Sequence, residues 1–315
     1  MSLVEPLCPA GALEQSLNSG WTPRAMAGDA SSRRYWRLVD DAGRTAILMD
    51  SGSPDGNGFP AFETMSRHLS DLGLIAPRIV HVSCDRCFAV KLTEHMRMNR
   101  LDQPALLASL LDVQPRLGRT SPPPGLAVLT PDHGSALVSP MFETAAITVL
   151  ADLQMEIRSR IGDAMNRSCD APTSLSLRDF HAENVIWRAD ETGSNRFGLL
   201  GLQEAFIAPG EYDLASLLRN VRRDVSAEAH DLSLARFATL FGKSLSAVSA
   251  ACATLAVQRN LRIHGIFSRL AEKTGKTRYL AFLLRTARLI REDAAHPALA
   301  PLAGPVERLM RYLKT

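Results

Sequence analysis

No stretch of this 315-residue chain reaches the roughly 18 consecutive apolar residues that a membrane-spanning helix needs. A membrane partner is therefore not expected. An excess of one charge is equally lacking: 36 basic residues face 33 acidic ones, for a formal net charge of +3. There is no basic block of the kind that neutralises a phosphate backbone, so nucleic acid is not expected as a partner either. Cysteine is too sparse for a disulfide framework. Cys8, Cys84, Cys87, Cys169 and Cys252 are odd in number and scattered, which fits a reduced, cytoplasmic protein with small buried thiols. The opening residues Met1 to Cys8 lack the basic and apolar regions of a secretory signal. Zinc chemistry lacks its ligands, because the pair Cys84 and Cys87 has no second pair to complete a tetrahedron. His181-Ala182-Glu183 copies half of a zinc-deaminase signature, but the Pro-Cys-x-x-Cys it requires downstream is missing.

What is present is an ordinary globular composition, 46% hydrophobic and 22% charged, in a chain long enough for about two domains. Arg33–Asp40 and Arg44–Asp50 read as strands around the turn Asp40-Asp41-Ala42-Gly43. Phe62, Met65 and Leu69 recur at helical spacing between 59 and 72. Short strands are expected at 78–82 and 87–92. The Pro- and Gly-rich stretch 121–140 reads as an irregular connection. Beyond Ser244 the pattern is helical, with Val248, Ala251, Cys252 and Leu255 on one face. The expected class is α+β, with a β-rich N-terminal lobe over residues 1–95 and a larger, mostly helical C-terminal lobe over 96–315.

The chemistry concentrates between Leu175 and Leu218. Leu177-Arg178-Asp179-Phe180-His181-Ala182-Glu183-Asn184 precedes a strand, Val185-Ile186-Trp187, and a polar turn leads to a second strand, 196–200. An Asp and an Asn five residues apart on a loop before a hairpin suit phosphoryl transfer. Asp179 can deprotonate a hydroxyl, and Asn184 can hold Mg²⁺ on the phosphates of ATP. The same residues also fit a plain polar loop whose Asp and Asn cap nearby backbone. Arg219, Arg222, Arg223 and Asp224 continue the helix from 212–218 and read as its solvated face or, for some of them in a sugar kinase, as part of the lining of a substrate cleft.

These blocks together resemble the aminoglycoside phosphotransferase and choline kinase-like family, which shares the two-lobed protein-kinase fold. Within it, the chain is similar to bacterial kinases that phosphorylate N-acetylmuramate and N-acetylglucosamine at the anomeric hydroxyl. The matching segments are 27–37, 178–184, Tyr212-Asp213-Leu214-Ala215-Ser216-Leu217-Leu218, Gln258-Arg259-Asn260-Leu261, 265–270 and 296–299. The resemblance implies an ATP-dependent phosphotransferase acting on a small-molecule hydroxyl, with the nucleotide between the lobes. It implies Asp179 as catalytic base, Asn184 as a Mg²⁺ ligand, and Gly28, Asp29, Ala30, Ser31 and Ser32 as the loop over the nucleotide phosphates. Asp213 is implied to tie the catalytic loop down.

One position departs from the family. Where relatives end the hairpin in Ile-Asp-Phe-Gln-Asp-Ala, this chain has Leu200-Gly201-Leu202-Gln203-Glu204-Ala205. Gly201 stands where the metal-bridging Asp belongs, and Glu204, one methylene longer than the second Asp, is the acid left to reach the metal. The alternative this raises is a catalytically impaired pseudokinase that binds nucleotide or a partner. A Gly201→Asp substitution is expected to restore the ligand.

Overall fold

Residues 20–26, 34–50, 59–84, 87–91, 103–118, 120–143, 150–274 and 278–313 are described by the structure, a computed structural model. Five strands form one antiparallel sheet: β1 (Trp21–Met26), β2 (Arg34–Asp40), β3 (Thr45–Asp50), then β4 (Arg78–Cys84) and β5 (Cys87–Lys91) after the helix α1 (Phe59–Asp71). Their order across the sheet is β1-β2-β3-β5-β4. The register of β2 on β3 pairs Trp36 with Leu48 and Leu38 with Ala46. Period-two alternation puts these four side chains on one face, where they are buried with Trp21 packed against them. On α1 the predicted face holds, since Phe62, Met65 and Leu69 are all buried. Each such side chain contributes about 1.5–3 kcal/mol. At the end of the central strand β3, Asp50 is fully buried and accepts from Arg34 Nη2 at 2.6 Å. Arg34 also stacks 5.7 Å from the centre of the Trp36 ring.

The chain continues through α2 (Pro104–Leu110), α3 (Gln114–Leu117), α4 (Pro131–Ala136) and α5 (Ala151–Ser168) to β6 (Ser174–Ser176). A hairpin of β7 (Val185–Trp187) and β8 (Phe197–Leu199) follows, and β9 (Phe206–Ala208) pairs back onto β6. The remainder is helical: α6 (Glu211–Leu218), α7 (Ala227–Phe241), α8 (Leu245–Thr274), α9 (Arg278–Ala294) and α10 (Ala300–Met310). Val248, Ala251, Cys252 and Leu255 on α8 are buried, as their spacing predicts. Among the described residues no single helix is long and apolar enough to cross a membrane.

Two expectations fail. The stretch 121–140 is not irregular throughout, because α4 starts at Pro131 and a 3₁₀ turn covers Ser139–Phe142. Thr130 accepts from the backbone N–H of His133 at 3.2 Å, and Pro131 sits in the first turn, where its missing N–H goes unmissed. Nor does α6 run on through Arg219. It ends at Leu218, and Arg219 is half-buried, donating to Glu292 at 2.8 Å and to Asp293 at 2.9 Å on α9. Asp224 in turn accepts from Arg285 and Arg288 of the same helix. Arg219 therefore binds two helices together instead of facing water, whereas Asp224 is exposed, as the solvated-face reading expects, while it pairs with α9.

The chain forms two compact units. One takes residues up to 98 together with 183–204, and the other takes 99–182 together with 205–315. The hairpin β7–β8 therefore belongs with the five-stranded sheet. Ile75 O accepts from Leu199 N at 2.8 Å within that unit, and Gln203 Nε2 lies 3.7 Å from Met49 Sδ of β3.

Candidate functional site

In the larger unit, β6 delivers the chain to Leu177, Arg178 and Asp179. Asp213, in the first turn of α6, is almost wholly buried beneath this segment. Its carboxylate accepts from Ser176 Oγ at 2.7 Å, from Leu177 N at 2.9 Å and from Arg178 N at 3.1 Å. Burial pushes the Asp213 carboxyl above its ordinary pKa, and the three donors pull against that shift. From the other side of the loop, Ser216 Oγ, one turn further along α6, donates to Arg178 O at 3.1 Å.

These bonds hold an unusual backbone. Arg178 has φ = 66°, the only positive φ at a non-glycine residue among those described. For an L-residue that conformation costs roughly 1–2 kcal/mol, so the surrounding contacts must impose it. Its guanidinium lies 5.3 Å from the centre of the Phe206 ring, and Phe206 meets Tyr212 edge-on at 4.8 Å. The turn buries Phe180 and His181 and leaves Asp179 exposed between them and Arg178. An exposed carboxylate on an over-determined loop is what a general base requires.

α8 adds a cationic element that the spacing of the loop motif does not signal. Arg259 is 3% exposed, and its Nη1 has no hydrogen-bond partner among the described residues. Burial pulls the Arg259 and Arg262 guanidinium groups below their ordinary range. Asp179 and Tyr212 oppose the shift at both, while Arg222 deepens it at Arg259 and Arg178 deepens it at Arg262. A signal was present in the sequence: Gln258-Arg259-Asn260 interrupts an otherwise apolar run, Leu255 to Leu261, that is buried throughout.

In the smaller unit, Asn184 closes the 3₁₀ turn Ala182–Asn184, and its carbonyl accepts from Leu200 N at 2.8 Å across the hairpin. That bond brings Asn184 beside Gly201, which has φ = +76°. A Cβ at Gly201 would stand 2.7 Å from Asn184 Nδ2 and 3.1 Å from its Cγ. Gly201→Asp is therefore not a simple restoration, because the Asn184 amide must first move. Glu204 ends the 3₁₀ turn Leu202–Glu204 and is exposed. Among the described residues, no group of three or more His, Cys, Asp or Glu side chains is placed to hold a metal. Gly28, Asp29, Ala30, Ser31 and Ser32 lie outside the described residues. The structure thus brings Asn184 and Gly201 together in one unit, with Glu204 in the same unit, and sets Asp179, Asp213 and the arginines in the other.

An N-acetylmuramate/N-acetylglucosamine kinase of Caulobacter vibrioides is 35% identical over 168 residues, covering 53% of this chain and 44% of that relative. The chain thus matches less than half the length of that relative. A Pseudomonas aeruginosa protein of the same name is 26% identical over 299 residues, covering 88% of this chain and 85% of that one. The solved structure of the amicoumacin kinase hAmiN in complex with AMP-PNP, Ca²⁺ and Ami superposes with a TM-score of 0.65 at 13% identity, covering 93% of this chain and 95% of that one. At that identity the likeness establishes the fold, an α+β kinase-like architecture with a small antiparallel sheet and a mostly helical remainder. Residues 22–242 match the phosphotransferase enzyme family, and the chain belongs to that family.

Proposed function

We propose that this protein transfers the γ-phosphoryl group of ATP to a hydroxyl of an amino sugar and works in the cytoplasm. The observation that carries the reading is the anchored loop: Asp213 and Ser216 fix Arg178 in a strained backbone, so that Asp179 is held exposed at its end. Asp179 takes the proton of the acceptor hydroxyl as its oxygen forms a bond to the γ-phosphorus. The bond from that phosphorus to the bridging oxygen breaks, and ADP leaves. Residues 28–32 are proposed to cover the nucleotide phosphates with consecutive backbone N–H groups.

The donor set suits a hard cation. Asn184 and Glu204 would each offer an oxygen ligand to Mg²⁺, and Gly201 would offer none. When bound, Mg²⁺ contributes charge neutralisation on the phosphates. The alternative raised by Gly201, binding without turnover, is not favoured given the family and the kinases among its relatives.

The experiment is label transfer from γ-labelled ATP to N-acetylmuramate and N-acetylglucosamine with Mg²⁺. The wild type is expected to label at least one sugar, and Asp179→Asn to lose about 10²–10⁴-fold in kcat. Glu204→Gln is expected to raise the Mg²⁺ concentration needed for half-maximal rate. No labelling by the wild type, or an Asp179→Asn variant as fast as the parent, would sink the reading.

A further inference from the structure

We infer that Arg259 and Arg262 form an anion-binding subsite beside Asp179 that receives a carboxylate carried by the acceptor, so that the preferred substrate is an acidic amino sugar. The inference rests on the phosphotransferase reading above for its choice of acceptor, and on side-chain packing for its location.

Arg259 and Arg262 are three residues apart on α8 and so share one face of the helix. That face meets α6 at Tyr212, whose buried phenol feels both guanidinium groups and that of Arg178. Arg178 reaches the same place from the catalytic loop by stacking on Phe206, which packs edge-on against Tyr212. Four cations, Arg178, Arg222, Arg259 and Arg262, therefore act on one another around a small aromatic platform. Among the carboxylates there, Asp213 already accepts from three donors, and Asp179 has a proton to collect.

A buried guanidinium with an unpartnered Nη1 is an expensive feature to keep for structure alone. Burying a charged group with one of its donors unsatisfied is costly even where Asp179 and Asp213 act on it, and an apolar side chain of similar volume would serve the core better. A planar fork of N–H donors is, however, the group best matched to a carboxylate. N-acetylmuramate carries such a group on its lactyl ether, and N-acetylglucosamine is the same sugar without it. The transferring phosphoryl group is the competing anion, and the two sources are separable. An acceptor subsite discriminates between these sugars, whereas a phosphoryl subsite treats them alike.

The test is calorimetric binding of each sugar in the presence of AMP-PNP and Mg²⁺, together with the label-transfer assay. It uses the full chain and the variants Arg259→Met and Arg262→Gln. In the wild type, N-acetylmuramate is expected to bind about 10- to 100-fold more tightly, the value of a charge-assisted hydrogen-bonded contact. Arg259→Met should erase most of that ratio and leave N-acetylglucosamine within about twofold. Its unfolding midpoint should hold or rise, because a buried charge with an unsatisfied donor has been removed. Arg262, only partly buried, provides a second variant with little risk to folding, and Arg262→Gln should reduce the ratio in the same direction.

Equal affinities in the wild type, failure of both sugars to bind, or an unchanged ratio in both variants would overturn the inference. So would a fall in kcat that is equal for both sugars at unchanged ratio, which would assign the arginines to the phosphoryl group. A lowered midpoint with an unchanged ratio would assign Arg259 to structure and likewise overturn it. Discrimination in binding without any label transfer would leave the subsite standing and remove the phosphotransferase reading instead.

Discussion

Truncating Asp213 to Ala would leave Ser176 Oγ, Leu177 N and Arg178 N facing a hole where one carboxylate now serves them all. Each stranded buried donor costs about 1–3 kcal/mol. Asp213→Ala is thus expected to lower stability by at least about 3 kcal/mol in denaturant titration. It should also depress kcat more than KM, because the backbone of Arg178 is no longer held. A variant with wild-type stability and rate would show that the loop holds itself. A second residue controls pH dependence. His264 is buried on α8, its Nδ1 lies 2.9 Å from Thr286 Oγ1, and Thr286 itself donates to Phe282 O on α9. The hydroxyl is therefore the acceptor, which fixes the ring proton on Nδ1. Burial pulls the pKa of His264 down to about 4 from 6.5, so the folded state holds it neutral while an unfolded chain protonates it more readily. Stability from this group is complete above pH 6.5 and is lost as pH falls toward 4, by about 3 kcal/mol at 1.36 kcal/mol per unit. His264→Gln should flatten that part of the stability–pH curve, and an equally steep fall in the variant would rule His264 out as its source. At this scale the loop from Leu177 to Asn184 and its buried anchor were legible, because Asp179, Asn184 and Asp213 sit in short motifs. Arg259 showed only as a polar interruption of an apolar run, because the electrostatic influence of Asp179 on it and on Arg262 comes from the packing of α8 and not from spacing.

Among the elements, β2, β3 and α1 could be read directly, since their apolar residues repeat at two or at three to four positions and end in clear turns. The helix α5 could not. Its buried residues are Ile157, Ile161, Ala164 and Met165, a narrow stripe in 18 residues that are otherwise largely polar. The strand β1 was also hidden, because Pro23 and Arg24 interrupt its alternation and its burial is only partial. Gly265 shows a constraint that periodicity does not carry. A Cβ there would stand 2.2 Å from the carbonyl carbon of Pro140 and 2.3 Å from the backbone nitrogen of Met141. Helix and 3₁₀ turn touch main chain to main chain, and backbone has no rotamer with which to retreat. Gly265→Ala, which improves helix propensity, is nevertheless expected to destabilise by about 3 kcal/mol or more through overpacking. Thermal unfolding decides this, and a midpoint equal to the parent's would mean that α8 can slide away from the turn at little cost.

For the molecule as a whole, the last helix completes the core of the larger unit. Leu302, Val306, Leu309 and Met310 on α10 are each at most 2% exposed, and Arg308 pairs with Glu156 of α5. Ending the chain after Ala295 would remove those four side chains and bare the core surface they cover, forfeiting on the order of 8 kcal/mol of burial, which rivals the net stability of a typical domain. The truncated chain is expected to be insoluble or to lack cooperative unfolding, and a sharp transition near the parent's would show that α10 is dispensable. The division of the chain has a consequence for how the protein is made. The backbone passes from one unit to the other after residues 98, 182 and 204, so no single cut separates them. On a ribosome the N-terminal sheet emerges first but lacks its own hairpin until residue 204 has followed, after much of the second unit's first half has been synthesised. Early translation therefore exposes an unfinished sheet, and the peptide between Asp179 and Asn184 is where the chain leaves the second unit, its first segment complete, to return and finish the first.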